Sequence, residues 1–220
     1  MFIGLHLWQY FPRMSIPTPI ALILLAAGSS TRMGEPKQLL LYKGQTLLRR
    51  AAEQALKANC DPVIVVLGSS AEQMKPQLTN LPVQTIKNPS WSRGIGTSIR
   101  VGLNALLPSP STLGEGQGEG ASPQAVIITL CDQPLIDSTT LTQLITLHRT
   151  TNRPLIAAQY AGALGVPALF AHKYFPALST LPDDSGAKQL LMKHAADVLP
   201  LPMELAATDI DTPMDYQRLT

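Results

Sequence analysis

Cysteine is scarce in this chain. Its 220 residues include two, Cys60 and Cys131, far apart and at no metal-ligand spacing. That excludes a disulfide framework and a cysteine metal site, and makes a reducing cytoplasm the expected compartment. Charge of one sign is also lacking: the formal balance is +2, with Lys and Arg scattered rather than gathered into a track. Nucleic acid and membrane surfaces are therefore not expected partners. No apolar run approaches the ~20 residues of a membrane-spanning helix. The apolar stretch from Leu5 to Phe11 has no basic run before it and no small-residue cleavage site after it, so it does not read as a signal peptide. Four histidines (His6, His148, His172 and His194) share no ligand spacing and are assigned no catalytic role.

What is present is apolar residue, 45 % of the chain, enough to bury the core of one α/β domain. The expected organisation is one domain over residues 20–220. Before it, residues 1–19 read as a floppy extension or a mis-assigned start, with Met14 the alternative first residue. Residues 108–124 carry PSPSTLGEGQGEGASP, too rich in Gly, Ser and Pro to offset chain entropy, and read as a disordered surface-loop insertion.

Short apolar runs at residues 20–26, 63–67 and 125–130, the last interrupted only by Thr129, have the pattern of strands buried on both faces. Thr46 is positioned to cap a helix over LLRRAAEQALKA, and Ser70 with Gln73 resembles a capping box for a helix that stops near Pro76. A strand over residues 83–87, a helix from Thr97 to Leu107, and a helix capped by Ser138 running to about His148 continue the alternation. Residues 155–160 read as a strand, residues 162–167 as a turn, and the remainder as apolar residues 168–170, helices and an acidic T-D-I-D-T-P segment. Repeated βα pairing predicts a single-domain, three-layer, open and mostly parallel Rossmann-like sheet, with ligands at the carboxyl ends of its strands.

Both chemistry-bearing segments fall at such ends. After the first strand, Leu25-Ala26-Ala27-Gly28-Ser29-Ser30-Thr31-Arg32-Met33-Gly34-Glu35-Pro36-Lys37 combines small residues, hydroxyls, two glycines and two cations. Glycine lets backbone N–H groups approach anionic oxygens, and Arg32 and Lys37 can neutralise triphosphate charge. The spacing is not that of a Walker A loop. Asp132 directly follows an apolar strand and is halted by Pro134, the position of a Mg²⁺ ligand beside the first loop. Asp209 or Asp211 can supply a second carboxylate, since strand alternation would put both on one side. Cys131, with no His nearby in sequence, reads as a packed thiol.

The loop LAAGSSTRMGEPK, the C-D-Q-P turn, G-V-P-A-L-F at residues 165–170, D-S-G-A at residues 184–187 and D-I-D-T-P together resemble the molybdenum cofactor cytidylyltransferase family, of the wider MobA-like nucleotidyltransferases. The resemblance spans residues 20–216 and implies the nucleotide-diphospho-sugar transferase type of fold. It also implies Mg²⁺-dependent transfer of CMP from CTP to molybdenum-bound molybdopterin, with pyrophosphate released and the product passed to an enzyme of the xanthine dehydrogenase type. Carried over residue by residue, it gives Arg32, Lys37 and Asp132 as catalytic, and Asp132 with Asp211 as Mg²⁺ ligands, Asp209 being the weaker choice. Leu25, Ala26, Ala27, Gly28, Ser29 and Ser30 would bind nucleotide, and the paired alanines favour CTP over GTP. Gly96, Thr97 and Ser98 stand in the stretch thought to line the base site, here Gly94-Ile95-Gly96-Thr97-Ser98 rather than G-M-S-x-S. Asp184 and Gly186 would face the acceptor, with Asp183 where the family has glycine. Trp91, in a loop, can stack on base or pterin or cover the loop against the core.

Two other functions use the same residues. A cytidylyltransferase for a sugar or polyol phosphate would need hydroxyl-recognising groups in the second half. A non-catalytic nucleotide or pterin carrier is suggested by the altered glycines at Cys131 and Asp183. A monomer or weak homo-oligomer is expected.

Overall fold

The computed structural model describes residues 18–107 and 122–219, so most of the expected extension at 1–19 and of the insertion at 108–124 lies outside the described residues. The first strand, β1 (Ala21–Ala26), is buried along its whole length. Its even-numbered residues join one core cluster and its odd-numbered residues another, because strand side chains alternate and both faces are covered. A two-stranded ribbon follows, β2 (Leu41–Tyr42) and β3 (Gln45–Thr46), turning through Lys43 and Gly44, both at positive φ. The helix α1 (Leu47–Lys57) starts at Thr46, whose side chain accepts from the Arg49 N–H as its sequence position predicts.

Strand β4 (Val63–Leu67), short helix α2 (Ala71–Met74) and strand β5 (Gln84–Lys87) complete one half of the sheet. Ser70 makes no side-chain cap to α2, contrary to the capping-box reading. Helix α3 (Ile95–Leu106) begins two residues earlier than predicted and lies close on the sheet. At Gly102 an added Cβ would stand 2.7 Å from Ile23 Cγ2, so glycine sets this approach. Strand β6 (Ala125–Leu130) leads to α4 (Ser138–Thr151), whose cap is Asp137, not Ser138: its carboxylate accepts from the Thr140 N–H at 2.9 Å. A carboxylate at the preceding position is the stronger acceptor and already has the extended backbone of a cap.

Strand β7 (Leu155–Tyr160) turns at Ala161 and Gly162 into β8 (Ala163–Ala171), so the predicted turn over 162–167 is mostly strand. Helices α5 (Phe175–Ser179) and α6 (Ala187–Lys193), strand β9 (Val198–Pro202) and helix α7 (Pro213–Leu219) complete the chain. The strand order is β5-β4-β1-β6-β8-β7-β9. The pairings leave β8 alone running opposite to the other six, so the sheet is mostly parallel, with helices on both faces. From β1 the chain winds outward through β4 and β5, then returns to place β6 on the other side of β1. That reversal opens a crevice at the carboxyl ends of β1 and β6, where such sheets bind ligands.

Among the described residues no helix is long and apolar enough to cross a membrane.

Candidate active site

The loop leaving β1 is held by a side chain that sequence reasoning did not single out. Gln38, 1 % exposed, donates its amide to Ala26 O at 3.3 Å and to Gly28 O at 2.9 Å, and accepts from Ser30 Oγ at 3.2 Å. Ser30, in the left-handed region at φ 55°, accepts from the Lys37 N–H at 3.1 Å. The loop is thereby closed on itself, and its start and the Lys37 end face the crevice together. Gly68, at the end of β4, backs it: a Cβ there would lie 2.0 Å from Ala27 O. Neither role carries a sequence signal, since a buried Gln reads like a solvated one.

Lys37 ends this loop with its ammonium between two carboxylates from distant segments. It pairs with Asp132 Oδ2, after β6, and with Asp211 Oδ1 at 2.8 Å; Arg32 Nη2 takes the other Asp211 oxygen at 2.8 Å. The Asp211 segment is irregular, not a strand, and is pinned beside Asp132 by the Ile210 N–H donating to Asp132 O at 3.0 Å. Burial works against the Lys37 ammonium, but Asp132 and then Asp211 outweigh it and hold its pKa above the ordinary lysine value. The Asp211 carboxyl is held below its usual range, first by the hydrogen bond from Lys37. Asp209 makes no ion pair among the described residues; desolvation and then the Asp132 charge push its carboxyl up to about 6. Cys131 is buried and free, with its thiol pushed up by burial, as a packed thiol requires.

A cavity of about 240 Å³ opens over this cluster. Of the expected residues, Leu25, Ala26, Ala27, Gly28, Lys37, Ser98, Trp91 and Asp132 line it, with Gln38, Gly94 and Ile95 added. Trp91 lines the cavity and also packs against the core, the second of its two readings. Ser29 and Arg32 stand outside that lining on the exposed loop, and Ser30 works from behind. Thr97 and Gly96 are inside the protein framework. Asn88, fully buried, donates to Thr97 Oγ1 at 2.8 Å and Ser98 Oγ at 2.9 Å, while the Gly96 N–H donates to Asp183 O at 2.9 Å.

A second cavity of about 180 Å³ shares Leu25, Ile95 and Leu130 with the first. Ile99, Ile128, Tyr160, Gly165, Val166, Gly186, Ala187 and Lys188 complete its lining. Gly186 lines this second cavity, whereas Asp184 is exposed and lines neither cavity. Tyr160 was not anticipated from sequence.

An open, mostly parallel sheet, a glycine-containing loop at its switch point, and two cations facing two carboxylates define a nucleotidyltransferase of the Rossmann-like, nucleotide-diphospho-sugar transferase type. The chain belongs to the MobA-like NTP transferase family, whose model matches residues 22–198. It is similar to the nicotine blue oxidoreductase of Paenarthrobacter nicotinovorans, 29 % identical over 208 residues that cover 90 % of this chain and 94 % of that protein. It is also similar to the purine catabolism protein PucB of Bacillus subtilis, 28 % identical with 88 % and 92 % covered. Among solved structures, Rv0371c of Mycobacterium tuberculosis in complex with manganese superimposes with a TM-score of 0.72 at 26 % identity, covering 92 % of this chain and 98 % of that one.

Proposed function

We propose that this protein transfers CMP from CTP to the terminal phosphate of molybdenum-bound molybdopterin, giving the cytosine dinucleotide cofactor and pyrophosphate. The observation that carries the transfer chemistry is the convergence of Arg32, Lys37, Asp132 and Asp211 at the crevice between β1 and β6. An acceptor phosphate oxygen attacks the α-phosphorus of CTP, the bond to the bridging oxygen breaks, and pyrophosphate leaves. Arg32 and Lys37 neutralise the charge gathering on that leaving group, and the loop backbone orients the triphosphate. No covalent intermediate on the enzyme is required.

The donor set fits Mg²⁺. Asp132 Oδ1 is buried without a hydrogen-bond partner among the described residues, and Asp132 and Asp211 already meet at one cationic point. No group of three or more candidate ligands converges among those residues, which matches an ion held by one or two carboxylates plus substrate phosphates. When bound, the ion would polarise phosphoryl oxygens as a Lewis acid. The manganese complex of Rv0371c supports a divalent ion in a relative of this chain.

The second cavity supports a pterin acceptor: among the described residues its lining is mostly aliphatic, with Tyr160 and Lys188 as its polar side chains, and such walls suit the faces of a flat heterocycle. The redox name of the Paenarthrobacter relative describes that protein; the charges here are those of phosphoryl transfer.

The test is pyrophosphate release with Mg²⁺ and molybdenum-loaded molybdopterin, comparing CTP, GTP, ATP and UTP, with Asp132→Ala as control. Release with CTP alone, lost in the control, is the expected result. Release with GTP instead would move the protein to guanylyl transfer, and nucleotide binding without release would point to a carrier.

A further inference from the structure

A second ion-pair network lies outside the Lys37 cluster, on segments whose neighbouring residues line the two cavities. Its centre is Asp183, on the loop entering α6. Arg93 Nη2 lies 2.6 Å from Asp183 Oδ2, and Arg100 Nη2 donates to Asp183 Oδ1 while its Nη1 donates to Leu181 O. The backbones meet as well. The Gly96 N–H donates to Asp183 O at 2.9 Å, and a Cβ at Gly94, itself at φ +136°, would stand 2.2 Å from that same oxygen. At Gly96 a Cβ would stand 2.0 Å from Pro182 O. The first turn of α3 and the loop before α6 are thus packed backbone on backbone, and one carboxylate is gripped by two guanidinium groups from the opposite side.

What these segments carry gives the contact its meaning. Trp91, Gly94 and Ile95 line the nucleotide cavity, while Ile95, Gly186, Ala187 and Lys188 line its neighbour. Asp183 lines neither. In-line transfer depends on the relative placement of the two substrates, and small errors in that placement are costly.

We propose that Asp183 is a positioning residue: by tying the Arg93–Arg100 segment to the loop before α6, it fixes the acceptor cavity against the nucleotide cavity. The proposal rests on the transferase reading above. It assigns to Asp183 its larger effect on the acceptor, because the phosphate loop is held by Gln38 and not by this tie, while the base side of the nucleotide cavity shares the tied segment. The Asp183 carboxyl is held below its ordinary range, first by the Arg100 hydrogen bond and then by the Arg93 and Arg100 charges, so the tie is intact throughout the neutral range.

The experiment measures steady-state pyrophosphate release with CTP and molybdenum-loaded molybdopterin varied separately. For Asp183→Ala the acceptor KM is expected to rise at least tenfold and the CTP KM by a clearly smaller factor, and Asp183→Glu should recover most of both losses. Arg93→Ala, which removes the exposed partner, should give a smaller rise of the same kind and keeps the question answerable if Asp183→Ala fails to fold. An unchanged acceptor KM, or equal rises for both substrates, overturns the proposal. If the unsubstituted protein does not turn over this acceptor, the CMP-transfer reading falls on its own. The tie is then judged by acrylamide quenching of Trp91 in a Trp8→Phe background, where it is the single tryptophan. Quenching at least doubled in Asp183→Ala but not in Asp183→Glu supports the tie; equal quenching in all three proteins overturns it.

Discussion

The two cavities share Leu25, Ile95 and Leu130, yet one is walled by Lys37, Asp132 and Gln38 and the other by Ile99, Ile128, Val166 and Tyr160. The charged wall stands at the carboxyl ends of β1 and β6, at the switch point. The apolar wall is built from α3, the β7–β8 hairpin and the start of α6. On the proposed reading, fixed charges stand where charge changes during transfer, because preorganised dipoles and ions act on the transition state without reorganising. The part of the acceptor that does not react would need shape and exclusion of water, which aliphatic side chains supply. The division would let one wall keep the reaction while the other chooses the acceptor.

The sharpest way to break this division is at Asp132. Asp132→Ala should lower transfer by about a thousandfold while the far-ultraviolet circular dichroism stays that of the folded protein. A loss below tenfold in the pyrophosphate assay would remove Asp132 from the charged wall. Lys37→Met comes next, with transfer reduced about a hundredfold. The same variant should bind Mn²⁺ more tightly than the unsubstituted protein when no nucleotide is present, since the ammonium no longer stands between Asp132 and Asp211. Titration followed by electron paramagnetic resonance reads this directly, and weaker binding would show that the lysine does not compete with the ion.

On the apolar wall the effects are smaller and fall on one substrate. A Cβ at Gly165 would stand 2.3 Å from Tyr160 Oη, so Gly165→Ala must displace the ring within the acceptor cavity. The acceptor KM should rise several-fold and the CTP KM stay level; a matching change in both would join the two walls functionally. Tyr174→Phe is the control, behind the apolar wall and outside both linings. Tyr174 Oη donates to Asp197 Oδ2 at 2.7 Å, and burial, then Asp197, pushes the phenol up to about 12. The folded phenol holds its proton more tightly than the unfolded one, so its stabilisation is present below about pH 10 and is lost as pH rises toward 12. Tyr174→Phe should cost about 1 kcal/mol at neutral pH and flatten the decline between those limits, leaving both KM values unchanged. Urea melts at pH 8 and pH 11.5 would check the sign.

Strands at residues 63–67, 125–130 and 155–160 were readable to the residue because a strand buried on both faces carries a short apolar run, complete in the first and interrupted only by Thr129 or ended by Gln159 and Tyr160 in the others. β8 was misread as a turn because Gly165 and Pro167 punctuate it, although Pro167 is tolerated next to the irregular register between β7 and β8. β9 was missed because Pro200 and Pro202 speak against a strand, and edge strands accept proline. The site divides in the same way. Gly28, Arg32 and Lys37 lie within ten residues, so their chemistry shows as a motif. Gln38, Asn88 and Gly68 matter through burial and close approach, which composition does not reveal.

By itself, the sequence determined the alternating α/β order, the phosphate loop and the carboxylate that follows β6, because periodicity and short-range spacing are properties of the chain. Only the tertiary structure decided which of Asp209 and Asp211 meets Lys37. The same is true of the burial of Thr97, the place of Asp184 outside both cavities, and the meeting of Arg93 and Arg100 with Asp183. Those outcomes depend on packing between segments up to 179 residues apart, where geometry is set by what the intervening core allows.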